Sequence, residues 1–110
     1  MRSNGRIDDI IYNRLKHEDK KMEDFKKLEK ILKAVANRRR VAILAYLKQE
    51  KEVKVGDIAE HIHLSFNATS KHLGVLFAAN LVDKDQRSLE MWYRLSPNQH
   101  ILIDALLKLI

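Results

Sequence analysis

Between Leu64 and Leu73 the chain reads Leu-Ser-Phe-Asn-Ala-Thr-Ser-Lys-His-Leu, a run rich in small hydrogen-bonding side chains. Ser65 is a residue type that caps free backbone N–H groups at a helix start. Thr69, Leu73 and Leu76 follow at steps of four and three, so they form one inward stripe of a helix. Asn67, Ala68, Ser70 and Lys71 then face outward, with His72 at the margin. Asn pairs bidentately with adenine and an Ala methyl meets the thymine methyl. Ser bonds a base or a phosphate, and Lys bonds a phosphate or guanine. The chemistry on offer is therefore duplex DNA recognition, by Asn67, Ala68, Ser70, Lys71 and His72, with Ser65 fixing the register of the helix start.

Such a helix needs a brace. Val53 and Val55 lead into Asp57-Ile58-Ala59-Glu60-His61-Ile62, a short helix with Ile58, Ala59 and Ile62 on one face, and a tight turn at His63-Leu64 joins it to Ser65. Short helix, turn and longer polar-faced helix is the order of a helix-turn-helix. Upstream, Phe25, Leu28, Ile31, Leu32 and Val35 recur at steps of three and four from Met22 onward, which predicts an amphipathic helix. Asn37 is placed to cap the next helix, whose apolar face is Val41, Ile43, Leu44 and Leu47 and whose end falls near Lys48. Gln49 to Glu52 reads as a solvated turn.

After Asn80 the period changes. Leu81 to Lys84 and Leu89 to Leu95 read as two strands around Asp85-Gln86-Arg87-Ser88, a β-hairpin that would place Arg87 in or beside a minor groove. Trp92 is expected in the core and Tyr93 on the other face of its strand. Ser96-Pro97 is expected to open the last helix, which is apolar nearly all round. A helix of that kind leaves one apolar side in water unless a second subunit covers it.

At 110 residues the chain is one domain's worth, with 33% charged and 45% hydrophobic residues, one Pro and three Gly, a composition suited to a helix-rich globular protein. Residues 1–21, with Ile7, Ile10, Ile11 and Leu15 at helical spacing, are expected to form an N-terminal extension carrying a short helix, and residues 22–110 the main domain. The net charge of +6 suits a polyanionic partner. Its distribution qualifies that: residues 1–50 hold fourteen basic and eight acidic groups, and residues 51–110 hold seven of each. The second half must therefore engage DNA by local placement of charge and not by a bulk basic field.

No apolar run approaches the roughly 20 residues of a membrane span, so no membrane partner and a cytoplasmic location are expected. With no cysteine there is no disulfide, thiolate metal site or thiol switch. No nucleophile elbow, phosphate-cradling glycine loop or metalloprotease motif is present, so no enzyme is expected.

Leu32 to Leu44 with Asn37 at the capping position and Arg40 at a recurrent Arg, Val55-Gly56-Asp57-Ile58-Ala59, Ser70-Lys71-His72-Leu73-Gly74-Val75-Leu76, Ala79-Asn80-Leu81-Val82 and Trp92-Tyr93-Arg94-Leu95 together resemble the winged-helix repressors of the ArsR/SmtB family. The resemblance covers about Leu28 to Leu95. It implies a mainly α fold with a β-hairpin wing: a winged helix-turn-helix that dimerises through its N- and C-terminal helices and represses transcription at a two-half-site operator until an effector, unidentified here, releases it. Phe25, Leu28, Leu32, Leu102, Leu106 and Leu109 would form the dimer interface.

The chain departs from the family where its metal sensors carry a Cys pair, since Val53-Lys54-Val55-Gly56 stands there. On the last helix only His100 and Asp104 offer ligands, so neither a metal nor another cofactor is expected. His61 and His63 are expected as ordinary surface histidines, and Arg38 or Arg39 as phosphate contacts. Arg40 is expected to pair with a neighbouring helix. The alternative reading is a protein-interaction module on the same fold, without specific DNA binding.

Overall fold

A computed structural model describes the backbone from Ser3 and the side chains from Asp8; the side chain of Ile7, part of the expected first helix, lies outside the described residues. The elements are α1 (Ser3–Val35), α2 (Arg38–Glu50), β1 (Glu52–Lys54), α3 (Val55–Ile62), α4 (Phe66–Ala78), β2 (Val82–Arg87), β3 (Glu90–Leu95) and α5 (Ile101–Leu109). The chain divides into two compact units, one ending at Lys30 and one spanning Ile31–Ile110.

In the first unit the helix runs unbroken through the charged stretch Lys16 to Lys21 and on past Met22, where the main domain is expected to begin. The segment holds no Gly or Pro and is built mostly of residues that favour helix, so its charge solvates the helix without stopping it. Ile10, Ile11, Leu15, Met22 and Phe25 are each about half exposed along it.

In the second unit the core joins Ile43, Leu44 and Leu47 of α2, Ile58 of α3, Leu73 and Leu76 of α4, Leu81 and Val82, and Ile103 of α5. Three left-handed residues make the sharp ends. Lys51 (φ 76°) follows α2, His63 (φ 56°) ends α3, and Asn80 (φ 61°) ends the helix turn after Ala79. The Leu64 amide donates to the Ala59 carbonyl at 3.0 Å, and the Leu81 amide to the Leu76 carbonyl at 3.0 Å, which satisfies carbonyls a helix end leaves free.

Three expectations need correction. Glu52 belongs to a short strand, not a turn: β1 pairs antiparallel with β3 (Val53 opposite Tyr93), giving a three-stranded sheet ordered β1-β3-β2. The last helix starts at Ile101 and not at Ser96-Pro97, because Gln99 Nε2 bonds the Leu81 and Ser96 carbonyls and Ser96 Oγ bonds Asp83, holding this segment against the sheet. Tyr93, not Trp92, is the core aromatic. The β3 register puts Tyr93 opposite Val53 and toward the core, so strand alternation turns Trp92 to the face where the Arg87 guanidinium lies 5.0 Å from its ring centre.

Thr69 is fully buried, and its hydroxyl has no hydrogen-bond partner among the described residues. An unpaired buried polar group costs about 1–3 kcal/mol, so Thr69→Val is expected to leave stability unchanged or raise it by about 1 kcal/mol. Chemical denaturation checks this; a clear loss would mean the hydroxyl has an acceptor.

Candidate nucleic-acid interface

α3, the His63-Leu64 turn and α4 form the helix-turn-helix, and α3 packs against both α2 and α4. Ser65 caps α4, its Oγ accepting from the Ala68 amide at 3.1 Å. Thr69, Leu73 and Leu76 are buried to nothing, as their spacing requires. That burial sets the rotation of α4 and turns Asn67 and Lys71 to the exposed side, while Ala68, Ser70 and His72 are half-buried at its flanks. The side chains of Asn67 and Lys71 make no hydrogen bond or ion pair with any described residue, so their polar groups are open to a ligand. The same side holds Gly74, where an added Cβ would meet nothing within 4 Å, and Val75, 42% exposed.

Phe66, the first residue of α4, is 58% exposed. Sequence reasoning did not single it out, because a large apolar residue beside a buried stripe reads as core. The available signal was its position directly after the cap, one step from exposed Asn67.

Arg40 sits in the first turn of α2, where a cation opposes the helix dipole. It resolves the conflict by reaching away. Nε donates to the Ala34 carbonyl at 2.5 Å and Nη2 to the Lys33 carbonyl at 3.2 Å, both in the last turn of α1, where cations are favoured. Nη1 lies 3.2 Å from His72 Nδ1 on α4. The amides of Arg39 and Arg40 are meanwhile held by the Asn37 side chain at 2.9 and 3.1 Å.

The wing is β2, β3 and a two-residue turn at Ser88-Leu89. Arg87, expected free for a groove, is instead tied to Glu52 at 2.8 Å and Asp85 at 3.1 Å. Arg94 shares Glu52 at 3.4 Å, and Lys54 pairs with Glu90 at 2.9 Å. β1 thus staples the wing, and the wing cations are largely neutralised within the protein. Leu89 at the tip is 96% exposed.

The remaining candidates are put to structural use. His61 stacks on Tyr46, ring centres 3.8 Å apart, while His63 takes the left-handed turn. His100 caps α5, Nδ1 accepting from the Leu102 amide at 3.0 Å. Among the described residues no three His, Asp or Glu side chains gather as a metal site would require.

The sequence profile of the bacterial regulatory protein arsR family matches residues 37–84. The chain is 34% identical over 80 residues to the transcriptional activator HlyU of Vibrio cholerae, covering 73% of this chain and 70% of that protein. The chain belongs to the arsR family. A second relative, the arsenical resistance operon repressor of Bacillus subtilis, is 29% identical over 82 residues, covering 74% of this chain and 78% of that protein. A homodimeric winged helix-turn-helix DNA-binding domain from Mycobacterium bovis superposes with a TM-score of 0.74 at 27% identity, covering 83% of each chain. The arsR-family match includes α2, α3 and α4, the elements that set the exposed face, and gives the protein-docking alternative no support.

Burial lowers the His72 imidazole below its ordinary value, and the Arg40 and Arg39 guanidiniums push the same way. Above about pH 6.5, the ordinary histidine value, folded and unfolded chains are both neutral there and His72 adds no pH dependence. As pH falls through that value the unfolded state takes the proton first, so stability falls until the folded imidazole also protonates. The denaturation midpoint is expected to be lower at about pH 5.5 than at about pH 7.5, with the difference reduced in His72→Gln. An undiminished difference would assign the effect to other groups.

Proposed function

We propose that this protein is a cytoplasmic, homodimeric, sequence-specific DNA-binding repressor that reads its operator with the exposed face of α4. The observation that carries this is the pair Asn67 and Lys71, exposed and unengaged behind a capped, fully packed helix. Asn67 reads a base edge and Lys71 a phosphate or guanine, flanked by Ala68, Ser70 and His72, while Ser65 holds the helix start. Arg38, exposed at the start of α2, adds a phosphate contact. Arg87 contributes mainly by shaping the wing, since contact with DNA must compete with Glu52 and Asp85.

Dimerisation supplies the second half-site. An apolar cleft of about 200 Å³ lies between the last turn of α1 and α5, lined by Leu32, Val35, Leu102, Ala105, Leu106 and Leu109. Leu109 is 82% exposed and Leu32 47%, so the cleft opens on apolar surface of the kind that marks protein–protein contact. A second copy related by a two-fold axis covers it, and Phe25 and Leu28 of the first unit contribute apolar side chains to dimerisation. No described helix is long and apolar enough to cross a membrane.

Fluorescence anisotropy against the duplex upstream of the protein's own gene and a scrambled duplex, at two salt concentrations, tests the reading. Asn67→Ala is expected to weaken the preferred duplex about tenfold and the scrambled one little, whereas Lys71→Ala weakens both and lowers the salt slope by about one. Equal losses on both duplexes for Asn67→Ala would remove it from base reading. For the interface, Leu106→Glu is expected to sediment as a monomer and lose operator affinity; a dimer with unchanged affinity would place the interface elsewhere.

A further inference from the structure

The guanidinium of Arg40 has three hydrogen-bond acceptors and they sit on two other helices: the carbonyls of Lys33 and Ala34 on α1, and Nδ1 of His72 on α4. Arginine offers donors only and does not lose its proton in a protein. The contact at 3.2 Å between Nη1 and Nδ1 is therefore a hydrogen bond only if Nδ1 carries a lone pair. An imidazolium, or the tautomer with hydrogen on Nδ1, would set N–H against N–H beside a positive charge. The remaining proton of the neutral ring must sit on Nε2. That nitrogen makes no hydrogen bond with any described residue, and the half-buried ring lies at the margin of the exposed face of α4.

We propose that Arg40 is a positioning residue for DNA reading: it holds His72 as the neutral Nε2–H tautomer, and His72 presents that N–H as a donor to a hydrogen-bond acceptor on the duplex. This rests on the reading of α4 as the DNA-contacting helix. The acceptor is a purine N7, a guanine O6 or a phosphate oxygen, all of which accept from an N–H. A merely structural arginine would cap α1 without dictating the state of an imidazole on another helix. A neutral ring with a fixed donor also distinguishes acceptors from donors on DNA, which a freely tautomerising ring does not.

Nitrogen-15 NMR of histidine-labelled protein without DNA reads the tautomer directly. The wild type is expected to show Nδ1 bare and Nε2 protonated at neutral pH, and Arg40→Lys to show a mixture, because a compact ammonium cannot serve three acceptors on two helices. Anisotropy then reads the consequence. His72→Leu is expected to lose about tenfold in operator affinity, and His72→Gln, which keeps an acceptor for Arg40 and an N–H donor, to stay within about threefold of wild type. Arg40→Lys is expected to lose about as much as His72→Leu, with no further loss when the two are combined, since both remove one interaction.

Loss confined to the operator duplex identifies a base acceptor; equal loss on a scrambled duplex identifies a phosphate. A wild-type Nδ1–H ring, an unchanged affinity in His72→Leu, or additive losses in the double variant would each overturn the proposal. If the wild type itself shows no preference for any operator duplex, the reading of α4 fails and the proposal falls with it. An intact preference with a harmless His72→Leu removes the proposal alone. Should Arg40→Lys unfold, the His72 variants and the wild-type tautomer decide the matter.

Discussion

Burial of Thr69, Leu73 and Leu76 is the constraint on which the rest of this protein depends. These three side chains, all fully removed from water, key α4 into α2 and α3 and leave it one rotation about its own axis. Burying a leucine is worth about 1.5–3 kcal/mol, so turning the helix by one residue would expose two of them at a cost comparable to a large share of a small domain's stability. The open face with Asn67 and Lys71 follows from that penalty. The caps and left-handed turns then limit where α4 begins and ends, and Ser65 and Asn80 do this with one side chain and one backbone conformation.

Electrostatics complete the surface by subtraction. The basic surplus resides in the first half of the sequence, and in the second half the cations are mostly spoken for. Lys54, Arg87 and Arg94 pair with Glu90, Asp85 and Glu52, and Lys84 lies 4.4 Å from the centre of the Phe77 ring. Exposed pairs of this kind contribute little stability, about 0–1 kcal/mol each, but they keep these charges from attracting polyanions without discrimination. Lys71 stands apart as the unengaged cation of α4. The exposed face of α4 thus carries one unengaged lysine beside neutral hydrogen-bonding groups.

Much of this was legible in the sequence because it rests on local rules. The inward stripe of α4 is a spacing, the Asn37 and Ser65 caps are residue types followed by apolar periodicity, and the hairpin is a change of period after Asn80. The errors fell where a distant partner decided the matter. Glu52-Val53-Lys54 is too short to declare itself a strand and becomes one only because β3 offers an open edge. Ser96 and Pro97 carry a helix-start pattern, yet Gln99 and Ser96 bond to Leu81 and Asp83 and delay the helix to Ile101. Trp92 and Tyr93 alternate in any strand, and only the register with Val53 selects which ring enters the core.

By itself, then, the sequence determined the order of the helices and the hairpin, their caps, the face of α4 that is buried and the absence of thiolate chemistry, because these depend on side-chain type and on periods of two or 3.6 residues. Tertiary structure alone decided which cations are free, where Arg40 spends its three donors, and that His72 is engaged while Asn67 is not. Those outcomes depend on groups such as Glu52 and Arg87, or Arg40 and His72, that lie more than thirty residues apart in the chain and meet only once the core has closed.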